Sequence, residues 1–145
     1  MLKVTQETWD EENGIAIVSI LDTSLGREFT GTAHCGEEDK DMQSKLTGSN
    51  IAYRRAEIEH LRYLKKYYTI KYKTLLNFQS EISNCKYYNP EFQIESILGK
   101  KIKALDEAVA FLTRRLEIEK EALAEYLKNK SELYQKIREG RKTKE

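Results

Sequence analysis

Between Ile51 and Ile82 the chain contains neither proline nor glycine, and its one proline, Pro90, separates that stretch from a second long helical pattern. Proline and glycine are the residues that break or weaken helices, so two long helices with a break between them constrain the fold most. In the first stretch Ala52, Ala56, Leu61, Leu64, Tyr68, Leu75 and Leu76 fall near helical spacing. Ser49 or Asn50 is placed to cap a helix beginning near Ile51. Asn89 followed by Pro90 is a cap and first-position pair that starts the second helix. There Leu98, Ile102, Leu105, Val109, Leu112, Leu116, Leu123, Tyr126, Leu133 and Ile137 recur in steps of three and four, broken at Glu119 and Lys130. That is a coiled-coil seam. With helix one over 50–82 and helix two over 89–140, the second outruns the first by roughly 30 Å at about 1.5 Å per residue. An overshooting seam calls for another chain, so a homo-oligomer is expected, either a dimer or an assembly of dimers such as a hexamer.

Residues 2–35 have a different texture. "LKVTQETW", the turn-rich "DEENG" and the β-branched "IAIVSIL" read as a hairpin. After "DTSLG", the run "REFTGTAHC" alternates Phe29, Gly31, Ala33 and Cys35 with Glu28, Thr30, Thr32 and His34, one face small and apolar, the other polar. Three antiparallel strands with one apolar face need a cover, and the helices supply it. The expected fold is α+β, a single domain of 1–145. It comprises a small N-terminal antiparallel sheet with an acidic loop (1–45) and two long α-helices forming an antiparallel, oligomerising coiled-coil hairpin.

Charge and chemistry narrow the function classes. The 25 Lys+Arg nearly cancel the 24 Asp+Glu, so a nucleic-acid polymer is not the expected partner. "YLKKYYTIKYK" interleaves tyrosine with lysine as single-strand platforms do, but on a helix Tyr63, Tyr67 and Tyr68 diverge from Lys65 and Lys66, and packing is the expected role. His34 and His60 lie in different elements, and no nucleophile elbow, P-loop or metal-ligand spacing is present. His34, Cys35 and the "EEDKD" carboxylates read as strand end and solvated loop. No enzyme, metal or cofactor is therefore expected. Cys35 and Cys85 form no CxxC pair, and no apolar run suits a signal peptide or a membrane span. A reducing, cytoplasmic setting is expected.

Arg54 and Arg55 sit one turn inside the expected start of helix one, where the helix end is already electropositive. Successive residues leave a helix about 100° apart, so one of the two should lean toward the sheet. There it would meet Thr30, Thr32 and His34, near Arg27. Guanidinium and hydroxyl groups beside an aromatic such as Phe29 or Phe92 suit a nucleotide, with pyrophosphate on the arginines and the base on a ring. Links to Glu57, Glu59 or the acidic loop are the alternative. On helix two, Arg114 and Arg115 also diverge. Arg115 can pair with Glu119, or the two can clamp an anion at a protomer junction, with Asn89 a further polar candidate.

The segment "GTAHCGEEDKDMQSKLTGSNIAYRRAEIEHL", about a fifth of the chain, resembles a pattern in small phage proteins. Gly31, Ala33 and Cys35 alternate on a strand, Asp39 and Asp41 follow in a loop, and Gly48, Ile51, Ala52, Arg55 and Ala56 begin the helix. With its sheet and two helices the chain is similar to the phage anti-Thoeris sponge proteins. The resemblance implies a non-enzymatic protein of the host cytoplasm during infection that sequesters cyclic ADP-ribose isomers and releases them unaltered. Members are oligomeric, with pockets where protomers meet, and some also hold cyclic oligonucleotides. Arg55 carries over from the motif as a ligand residue. Arg27, Phe29, Thr32, Arg54, Asn89, Phe92, Arg114 and Arg115 are candidates on chemistry. A coiled-coil protein that binds a host protein, and a nucleic-acid-binding phage factor, are the competing expectations.

Overall fold

The computed structural model describes residues 1–35, 45–85 and 94–144. Its fold is α+β: strands β1 (Leu2–Asp10), β2 (Ile15–Asp22) and β3 (Arg27–His34) precede helices α1 (Lys45–Ser83) and α2 (Ile94–Lys144). The strands form one antiparallel sheet in the order β1-β2-β3, as the sequence pattern requires. Asn89, Phe92 and the acidic loop with Asp39 and Asp41 lie outside the described residues.

Both hairpins close on one local device, an aspartate at the strand end and a glycine four residues later. Gly14 (φ 65°) and Gly26 (φ 63°) take the left-handed conformation, which a Cβ would strain. The Asp10 carboxylate accepts the Asn13 amide N–H at 3.1 Å and the Asn13 side-chain N–H at 2.7 Å. In the second turn the Asp22 carboxylate accepts the backbone N–H groups of Ser24 and Leu25 at 2.9 and 3.3 Å. The second turn joins β2 to β3 in the register that pairs Ala16 with Ala33, Val18 with Gly31 and Ile20 with Phe29. All six residues are buried on one face.

The first turns of α1 cover that face with an equally small stripe. Gly48, Ala52 and Ala56, four residues apart, are buried, as are Ile51 and Ile58. A Cβ built on Gly31 would collide with the Ala52 carbonyl oxygen and stand 2.5 Å from the Ala56 nitrogen. Helix and strand backbones thus approach closer at Gly31 than any side chain there, even alanine's methyl, would allow. Close approach also explains where α1 begins. It starts at Lys45, six residues before the expected Ile51, so Ser49 and Asn50 are helical rather than caps. Gly48, which reads locally as a breaker, is retained for packing.

The chain divides into two compact units, one of Met1–His60 with Glu117–Glu145 and the other of Leu61–Leu116. In the second unit Leu61, Leu98, Ile102, Leu112 and Leu116 are buried. Tyr63 stacks on Tyr67 (6.1 Å between centroids, 20°), Tyr67 meets Tyr68 edge-on, and the Lys71 ammonium lies 4.4 Å from the Tyr67 ring. In the first unit α2 buries Leu123 and Tyr134. Leu133 and Ile137, expected in the seam, are 55% and 37% exposed. A straight α-helix turns every 3.6 residues rather than 3.5, so a buried stripe set at Leu98 drifts off a strict heptad. It reaches Tyr134 ten turns later. The helices have 39 and 51 residues, a difference of about 18 Å instead of the expected 30 Å.

Candidate functional site

Arg54 and Arg55 part as helical geometry demands. Arg55, half-buried, donates from Nη1 to the backbone carbonyl of Thr32 at 2.7 Å. Because β3 is an edge strand, that bond satisfies an outward-facing carbonyl. The partner is the Thr32 main chain, whereas the sequence suggested its hydroxyl. Glu57, offered as a carboxylate for the arginines, acts on Tyr53 instead: burial first, and the Glu57 carboxylate second, push the Tyr53 phenol up from its ordinary value.

Arg54 turns instead to α2, its guanidinium 5.0 Å from the centroid of the Tyr126 ring. Beside this pair lies a hollow of about 290 Å³ lined by Thr47, Tyr126, Asn129, Lys130, Leu133 and Tyr134. Lys130 reaches to 5.1 Å from the Tyr134 ring centroid. Tyr126, Lys130 and Tyr134 follow one another four residues apart and so share a helix face. One place in the first unit thus gathers two cations, two aromatic rings, an amide and a hydroxyl. Its volume is at the lower end of the range of small-molecule sites, about 300–1,000 Å³. The described lining residues carry no imidazole, thiol or carboxylate. Tyr126 was legible only as a seam residue, and Lys130 only as a seam interruption. The signal that marks them is the aromatic, cation, aromatic order at steps of four.

Other sequence candidates occupy other surroundings. Phe29 is core, 7% exposed, its ring edge-on to His60 at 5.0 Å, and the Arg27 guanidinium lies 6.0 Å from its centroid. His60, given no role by the sequence, donates from Nε2 to the Asp22 carboxylate at 2.8 Å, both side chains nearly buried. The His60 bond, aided by the Leu25 and Ser24 amides and opposed by burial, holds the Asp22 carboxyl below its usual range. This pair pins α1 to the β2–β3 turn. Arg114 and Arg115 lie exposed on α2 in the second unit, and Asn89 and Phe92 lie outside the described residues.

Among the described residues no group of three or more His, Cys, Asp or Glu is placed to hold a metal ion, and no helix is long and apolar enough to cross a membrane. Comparison with known protein families, with curated proteins and with solved structures gives no match.

Proposed function

We propose that this chain is a non-enzymatic binding protein that sequesters small phosphorylated ring compounds of the cyclic ADP-ribose type, acting as a sponge for a phage-directed immune signal. The observation that carries the proposal is the Arg54 guanidinium held against Tyr126, a ring that itself lines a hollow with Lys130 and Tyr134. Such a ligand carries two phosphate charges and a purine; the hollow offers Lys130 and two phenol rings, with Arg54 against one of those rings as a second cation for the pyrophosphate. Contact with Tyr126 pre-positions Arg54, which reduces the ordering required on binding. Depleting a signal at nanomolar to micromolar concentration takes about −8 to −12 kcal/mol. Described lining residues without carboxylate, imidazole or thiol suit retention of an intact glycosidic bond.

Uptake and release test this directly. Protein mixed with cyclic ADP-ribose isomers and filtered should leave a depleted filtrate, and heating the retained protein should return the same isomer unchanged. An undepleted filtrate, or recovery of linear ADP-ribose, would overturn the proposal. A second function, as a helical interaction protein, draws on the exposure of Phe111 (62%), Ile118 (56%) and Ile97 (55%) along α2. It predicts a stable protein complex and no ligand depletion.

A further inference from the structure

The side of the sheet that α1 packs on continues across β1, where residues 2–8 are exposed. A register shift between Val4 and Gln6 resets the alternation of side chains along this strand. Val4 stands opposite Ile20 and Glu7 opposite Val18, so a carboxylate follows Val4 onto the side that carries the core. With Val18, and with Leu46, Ser49, Asn50 and Tyr53 of α1, these two residues line a hollow of about 230 Å³. Ser49 is 8% exposed. Its buried hydroxyl has no hydrogen-bond partner among the described residues, although a helical serine has the carbonyl four residues back within reach. Buried hydroxyls are nearly always bonded.

We propose that this hollow binds a small primary amine carrying one apolar ring, with the ammonium on the Ser49 hydroxyl, the Asn50 amide oxygen and the Glu7 carboxylate. The ring lies among Val4, Val18, Leu46 and Tyr53. Glu7 sets the sign of the ligand, because the described lining residues include no Lys, Arg or His, and an anion would meet like charge. The electropositive end of α1 at Lys45 pulls the other way, but that field falls off within the first turn, and Ser49, Asn50 and Tyr53 lie beyond it. An ammonium has three N–H donors and no acceptor, which matches three oxygens and gives the Ser49 hydroxyl its missing bond. Volume sets the size. An apolar cavity of about 150 Å³ holds benzene, and 230 Å³ leaves room for a ring with a short aminoalkyl chain. This hollow shares no lining residue with the one at Tyr126, and it selects the opposite charge, so either site can fail without the other.

Phenethylamine is the probe. Phenylacetate offers the same ring with the opposite charge, and N-trimethylated phenethylamine keeps the charge without N–H donors. Followed by amide chemical shifts of the isotope-labelled chain, phenethylamine should saturate with a Kd below about 1 mM and move Val18, Ser49, Asn50 and Tyr53. The other two compounds should bind at least about tenfold more weakly. Ser49→Ala separates a ligand group from a structural one. Its hydroxyl has no partner to lose among the described residues, so the variant should melt no lower than the native chain while binding phenethylamine about tenfold more weakly. Glu7→Gln should remove most of the preference for phenethylamine over phenylacetate. Five results would each overturn the proposal: no saturable shift with phenethylamine, equal affinity for either control compound, native affinity in Ser49→Ala, a lower melting temperature in that variant, or an unaltered charge preference in Glu7→Gln.

Discussion

Asp22 and His60 show how a residue without a visible motif can anchor the fold. Asp22 ends β2, orders its turn through the Ser24 and Leu25 amides, and accepts a bond from His60 thirty-eight positions away on α1. No periodicity announces such a pair, because its partners come from two elements. Removing one side of a buried hydrogen-bonded pair costs about 1–3 kcal/mol, so Asp22→Asn should melt roughly 4–10 °C lower at pH 7. The sign with pH follows from the lowered folded pKa of Asp22. Its contribution is complete above the ordinary carboxyl value of 3.8 and is lost as pH falls from there toward the lower folded value. Melting curves from pH 7 to pH 3 should therefore converge for native and Asp22→Asn proteins at the acid end. Parallel curves throughout would contradict this role. Arg54 and Arg55 make the same point about neighbours, since adjacent identical residues serve Tyr126 and the Thr32 carbonyl respectively.

At the scale of elements, period-two alternation placed Phe29, Gly31, Ala33 and Cys35 inside and Glu28, Thr30, Thr32 and His34 outside, and they lie so. Helix boundaries were less legible. Gly48 is unfavourable in an isolated helix by about 1 kcal/mol, yet α1 runs through it, because tertiary contact with the sheet outweighs propensity. Gly31, Ala33, Gly48, Ala52 and Ala56, which carry much of the resemblance to the sponge proteins, are the small residues that bring α1 and β3 together. Arg55, from the same motif, fastens the strand edge. Gly31→Val should thus cost about 2–3 kcal/mol, at the upper end for an overpacked core, because its obstacle is helix backbone rather than a movable side chain. Chemical denaturation would measure it, and a loss below about 0.5 kcal/mol would contradict the close approach. The C-terminal part of α2 was misread for a different reason. A heptad count kept Leu133 in the seam, whereas the 3.6-residue turn buries Tyr134 and leaves Leu133 lining the hollow.

For the whole molecule, the fold class could be read from texture, two proline-poor helical stretches after three alternating strands. The candidate site could not, since it depends on α2 bringing Tyr126, Lys130 and Tyr134 to the side of α1 that Arg54 occupies. Seam counting had assigned Tyr126 and Leu133 to self-association, with Lys130 a break in the seam. Arg54→Ala should accordingly lose uptake in the filtration assay with its helix content unchanged. Calorimetric titration of native, Arg54→Ala and Arg55→Ala proteins with cyclic ADP-ribose isomers tests the central claim most directly. The account predicts saturable heat for the native protein, at least about a tenfold weaker affinity for Arg54→Ala at unchanged helix content, and a lowered melting temperature for Arg55→Ala with binding largely kept. No heat from the native protein, or equal affinity in native and Arg54→Ala proteins, would contradict it.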